Sequence, residues 1–85
     1  MDYDVWFRTV ESSGDGGYWP AEHNRWQEAL AYAVECCNRL RAEGWWLHCF
    51  IEAPMAGDVW RAWMATKDGQ PARTVSIRRY EASVG

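Results

Sequence analysis

The chain has 85 residues, a net charge of −3 and 48% hydrophobic content, which is enough for one domain around a single small core. Charge interrupts the apolar runs too often for a membrane span. Three cysteines, two of them adjacent, cannot form a disulfide framework, and an acidic balance argues against a generic DNA coater.

Residues 3–11 read as an alternating strand. Tyr3, Val5 and Phe7 are expected inward and Asp4, Trp6 and Arg8 outward, since the opposite phase would bury Arg8. Residues 12–17 (SSGDGG) are expected to form a flexible turn or loop. They are not a phosphate loop, because no Lys-Ser/Thr follows and no G-x-G-x-x-G opens a helix. Tyr18, Trp19 and Pro20 should lead into the next element and pack on its first turn.

Residues 24–44 carry the only long helical pattern. Trp26, Leu30, Ala33, Cys37 and Leu40 fall on one helix face, widened by Ala29, Val34 and Cys36. The helix is expected over about residues 24–43, with Asn24 as N-cap, Gln27 completing a capping-box-like pair, and Gly44 as the left-handed stop. Glu28, Tyr32, Glu35 and Arg39 share the outer face, where Glu35 and Arg39 form a favourable i,i+4 pair.

Strand patterns follow at residues 45–52 and 58–66, joined by a turn over 53–58. A last strand covers 72–80, and the tail at 81–85 is expected to fray. Asp68-Gly69 is a strong hairpin signal. Read as a two-residue turn, it sets Trp60 opposite Ile77 and Ala62 opposite Val75. The 53–58 loop sets Ile51 opposite Trp60, Cys49 opposite Ala62 and Leu47 opposite Met64. Like then meets like throughout. The expected fold is α+β: a single helix packed on one face of a four-stranded mixed sheet, in the order β-α-β-β-β with a C-terminal antiparallel meander. The first strand joins by a right-handed crossover. Trp60, Ile77, Leu47, Ile51, Val5, Phe7, Leu30 and Cys37 are the expected core.

One helix covers one sheet face, so the other should show aromatic and arginine side chains. In this register Phe50 lies beside Arg61 and His48 beside Trp63, with Trp46, Trp6, Arg8, Arg78 and Tyr80 around them. The chain has seven tryptophans, and eight of its nine basic residues are arginine; both types are enriched at binding hot spots. A patch of this size points to a partner or to a second copy of the chain, the other reading being cover by the 12–20 segment and the tail. The acidic helix face, with Glu28 and Glu35 flanked by Glu22 and Glu43, is a second surface, able to imitate phosphates or simply to be solvated.

Catalytic chemistry finds no support. His23 and His48 are the only histidines, and no Ser-His-Asp, H-E-x-x-H or C-x-x-C pattern occurs. Cys36, Cys37 and Cys49 are expected to be buried and inert, with Cys36 the least buried. Cys49 and His48 alternate to opposite faces and cannot share a metal. No enzyme activity, cofactor or metal is expected. The N-terminus lacks the charged-then-apolar plan of a signal peptide, so a cytoplasmic protein is expected.

The profile as a whole resembles small phage-encoded inhibitors of the anti-CRISPR type: about this length, acidic, single-domain, α+β and without a catalytic constellation. That resemblance implies a non-catalytic protein that binds a protein partner, such as a nucleic-acid-binding complex, and blocks its nucleic-acid site by occlusion or acidic mimicry. The alternative is a small nucleic-acid-binding module whose aromatic-arginine sheet face stacks single-stranded bases. The candidate binding residues are Trp46, His48, Phe50, Arg61, Trp63, Arg78, Glu28 and Glu35.

Overall fold

The computed structural model describes residues 2–51 and 59–84, with side chains described for 5–49 and 61–81. In chain order it contains β1 (Asp2–Ser13), β2 (Tyr18–His23), α1 (Trp26–Ala42), β3 (Trp46–Ile51), β4 (Val59–Thr66) and β5 (Arg73–Val84). The α+β class with one helix holds. The sheet, however, has five strands in the order β2-β1-β5-β4-β3, and every neighbouring pair is antiparallel. The four-stranded mixed sheet is therefore corrected. Strand β2 is the reason: it folds back on β1 and reverses the chain before the helix begins. The parallel relationship then falls on β2 and β3, at opposite edges of the sheet, and α1 carries the chain between them.

The turn that creates β2 is tight. Ser13 exchanges backbone bonds with Gly17 and Gly16, and Gly16 has φ 103°, a conformation that only glycine adopts without strain. Residues 12–17 are thus the end of β1 and a hairpin turn rather than a loose loop. Pro20 sits inside β2, which is tolerable because an edge strand need not donate on its outer side. Tyr18 and Trp19, expected against the helix, are exposed strand residues.

The register of the meander also shifts by one residue. Trp63 lies opposite Val75 and Cys49, Leu47 opposite Ala65, and Arg61 opposite Ile77. Asp68-Gly69 does turn the chain, with Gln70 N–H bonded to the Lys67 carbonyl at 3.1 Å and Gly69 at φ 75°. But strand pairing resumes only at Arg73. Pro71 has no N–H to give a ladder, so the connection is longer than a two-residue turn. The 53–58 turn, and the side chains of Phe50, Ile51 and Trp60, lie outside the described residues.

The core sits between α1 and one sheet face. Ala29, Ala33, Cys36, Cys37 and Leu40 from the helix meet Ala65, Val75 and Ile77, with Phe7, Trp26, Leu30, Trp45, Leu47 and Trp63 packed at its margins. Leu30, Phe7 and Leu47 are therefore flanking residues rather than fully buried ones. Val5 is exposed instead of buried. It belongs to a stretch where residues 2–6 pair with 80–84 beyond the ends of β2 and β4, past the reach of the helix. The tail at 81–84 is part of that pairing, so the expected fraying is replaced by strand.

The helix begins at Trp26 after Arg25, with no side-chain cap bond; the Asn24–Gln27 box does not form. Its end follows the glycine signal closely. Gly44 (φ 95°) donates to Arg41 O at 3.0 Å and Trp45 donates to Leu40 O at 3.0 Å, the paired bonds of a Schellman stop. Polar contacts then fix the helix to the sheet. Thr9 Oγ1 donates to Ala29 O at 3.1 Å. Glu11, only 6% exposed, accepts from Arg39 of the helix and from Arg73 of β5, the latter at 3.2 Å. Arg39 thus turns to the sheet rather than pairing with Glu35. The Arg73 guanidinium also lies 5.3 Å from the Trp45 ring centre and 5.8 Å from that of Trp19.

Candidate functional site

Strand alternation assigns every described residue to a face. Phe7, Thr9, Glu11, Val75, Ile77, Ala65, Trp63 and Leu47 point to the helix. Trp6, Arg8, Val10, Tyr18, Glu22, Ser76, Arg78, Tyr80, Ala62, Met64, Trp46 and His48 point away. No described helix lies on this second face. Its short central side chains, Val10 and Ala62, are buried, while Tyr18 is 59% and Trp46 74% exposed.

The most organised part of the open face joins β2, β1 and β5. Arg8 Nε donates to Glu22 Oε1 at 2.6 Å, the Tyr80 hydroxyl donates to Glu22 Oε2, and the Arg8 guanidinium lies 5.1 Å from the Tyr80 ring centre. The Tyr80 hydroxyl, with the Arg8 charge, holds the Glu22 carboxyl below its usual range, and Glu22 in turn raises both partners. Arg78 lies directly opposite Arg8 and makes no ion pair among the described residues. Arg8, Tyr18, Arg78 and Tyr80 line a shallow depression of about 510 Å³.

The expected site residues divide. Trp46, His48 and Arg78 are on the open face, but Trp46 and His48 stand on the far edge strand, with β4 between them and Arg78. Arg61 and Trp63, expected there, are on the helix side. Trp63 packs against the core, and Arg61 stands 5.9 Å from the Trp63 ring centre with Nε buried and unbonded among the described residues. The one-residue register shift moves them, since each such slip exchanges the faces of a strand. Truncating Trp63 would therefore disturb packing as well as any surface. Glu28 and Glu35 are exposed on the helix, but Glu22 lies on β2 with its carboxylate engaged by Arg8, so it does not extend their row. Tyr18 and Glu22 are site residues that the sequence reading missed. Their signal is the alternation of Tyr18, Pro20 and Glu22, masked by the proline that makes the segment look like a lead-in.

Thiol exposure reverses the expected order. Cys36 and Cys37 are buried and Cys49 is exposed. Burial pushes the Cys36 thiol up and that of Cys37 up to about 11, which keeps both protonated and slow. With a chromogenic disulfide reagent at neutral pH, one thiol should react rapidly, and Cys49→Ser should remove that phase. A fast phase that survives Cys49→Ser would contradict this placement. Among the described residues no group of three or more His, Cys, Asp or Glu side chains is arranged to hold a metal ion, and no helix is long and apolar enough to cross a membrane.

No family model, curated protein or solved structure matches the chain.

Proposed function

We propose that this chain is a non-catalytic protein-binding inhibitor of the anti-CRISPR type, which docks its open sheet face on a partner and blocks that partner's nucleic-acid site by occlusion. The observation that carries the reading is the side of a five-stranded sheet on which no described helix lies, with Tyr18, Met64 and Trp46 exposed on the same face as Arg8 and Arg78. Exposed aromatic and arginine side chains on a rigid sheet supply the anchors that interfaces favour. The acidic helix face is the weaker surface, because Arg25, Arg39 and Arg41 stand among Glu28, Glu35 and Glu43. The second reading is a small nucleic-acid-binding module, favoured by the Arg8–Arg78 pair with its flanking tyrosines.

The test is plasmid interference in bacteria whose CRISPR–Cas systems, one type per strain, target an incoming plasmid. Expression of the chain should restore transformation in a strain carrying a susceptible type. Arg78→Glu and Trp46→Ala should abolish the rescue while leaving the thermal unfolding curve in place, since both side chains are exposed. Loss of rescue in Glu28→Lys/Glu35→Lys, with Arg78→Glu still active, would move the contact to the helix. Absence of rescue in every strain, with retention of single-stranded RNA in a gel shift, would replace the inhibitor reading with the nucleic-acid module. Sedimentation of the wild type and Trp46→Ala distinguishes a face closed by a second copy.

A further inference from the structure

We infer that the depression between β2, β1 and β5 is a nucleotide-binding site, with the phosphate between Arg8 and Arg78 and the base against Tyr18. It does not rest on the protein-docking reading and is testable on the isolated chain.

Arg8 and Arg78 are directly opposed across an antiparallel pair and on the same face. Like charges at directly opposed positions weaken a sheet, so stability alone does not account for the pair. Among the described residues one carboxylate, Glu22, lies beside the pair, and it is engaged by Arg8 and by the Tyr80 hydroxyl. The three ionised groups leave one positive charge. Arg8 is held in place by Glu22 and by the Tyr80 ring, whereas Arg78 is exposed and makes no ion pair among the described residues. A preorganised arginine beside an uncommitted one is an arrangement that a bound anion would stabilise.

The donors select the anion. Two guanidiniums from different strands present two planar forks, and a carboxylate has only two oxygens, which one fork can occupy. A phosphate monoester has three terminal oxygens and can accept from both. The volume exceeds that of a phosphate alone and falls in the range of small-ligand sites, about 300–1,000 Å³. Along the strands, Tyr18 closes the far end. Its ring is 59% exposed, while the Tyr80 ring already has Arg8 over it. Tyr18 is therefore the ring left to receive a planar base, and between it and the arginines lie only the short side chains Pro20, Val10 and Ser76.

Calorimetric titration at low ionic strength, with inorganic phosphate and with adenosine monophosphate, tests the site. Both should bind saturably, the nucleotide about tenfold or more tighter, which is the increment of one base–aromatic stack. Added salt should weaken both. Arg78→Gln should reduce both affinities by about tenfold or more. Tyr18→Ala should lower the nucleotide to the level of phosphate and leave phosphate unchanged. Both residues are exposed, and an unaltered unfolding curve certifies each variant. Competition by a single-stranded oligonucleotide at lower concentration than its mononucleotide would assign the ligand to a strand. Competition only at equal or higher concentration would assign it to the free nucleotide. No saturable heat with either probe at about 10 mM, binding unchanged in Arg78→Gln, or nucleotide affinity unchanged in Tyr18→Ala would overturn the inference.

Discussion

Leu40→Ala is expected to lower stability by about 2–5 kcal/mol, the range for a leucine truncated in a closed core. Leu40 has no exposed surface and is among the largest fully buried side chains. It shares its buried cluster with several small side chains, Ala29, Ala33, Cys36 and Cys37 of the helix and Ala65 of the sheet. These small groups have no flexible side chain to swing into the space left behind, which favours the upper part of the range. Its carbonyl also receives Trp45 N–H in the helix stop, so relaxation of the backbone around the cavity would disturb that stop. An 85-residue chain has a total stability on the order of 4–13 kcal/mol, and the variant would lose a large part of it. Urea unfolding followed by tryptophan fluorescence should show a lower midpoint with an unchanged slope. Leu30→Ala, at a partly buried position, should cost clearly less. A loss below about 1 kcal/mol for Leu40→Ala would mean that the helix is not seated as described.

The second large effect is expected from the Arg39→Ala/Arg73→Ala double variant, and its sign is set by burial. Glu11 is the buried member of the cluster, with its side chain 8% exposed, whereas those of Arg39 and Arg73 are 53% and 32% exposed. Removing both arginines strands a carboxylate away from water, at a cost of about 3–5 kcal/mol. Removing the charge from Glu11 instead leaves two guanidiniums that can turn to solvent, so Glu11→Gln should cost less. Adding Glu11→Gln to the double variant should recover most of the loss. What remains would reflect the contacts of Arg73 with Trp19 and Trp45. Thermal or urea unfolding of the four proteins provides the comparison. A Glu11→Gln variant less stable than the double variant would reverse this account.

The α+β class with one helix was legible, while the number and directions of the strands were not, for local reasons. Proline at position 20 and the run of glycines before it suppress the strand pattern of Tyr18–His23. Only the presence of β1 alongside makes that segment a strand, because an edge strand is stabilised by its neighbour and can carry a proline on the free side. The register failed for a related reason. Asp68-Gly69 by itself predicts a complete hairpin loop, but Pro71, two residues further on, delays pairing to Arg73. That signal was present in the sequence. Its effect was to exchange the faces of β4, which removed Arg61 and Trp63 from the open surface and brought Met64 to it. The thiol order was missed for a different reason, since the exposure of Cys49 accompanies its place on the edge strand β3.

What the amino-acid sequence determined by itself was the local chemistry: an amphipathic helix ending at Gly44 and strands with Arg8 and Arg78 outward. Those features depend on side-chain period and on backbone preferences within a few residues, and both are written in the chain. The tertiary structure decided which strands became neighbours. It set Arg8 against Arg78 and Glu22 across three strands, and drew Glu11 under Arg39 and Arg73. Such placements couple residues up to 70 positions apart, as Arg8 and Arg78 are. No local pattern encodes them, because the free energy that selects a pairing comes from burying one whole sheet face beneath one helix.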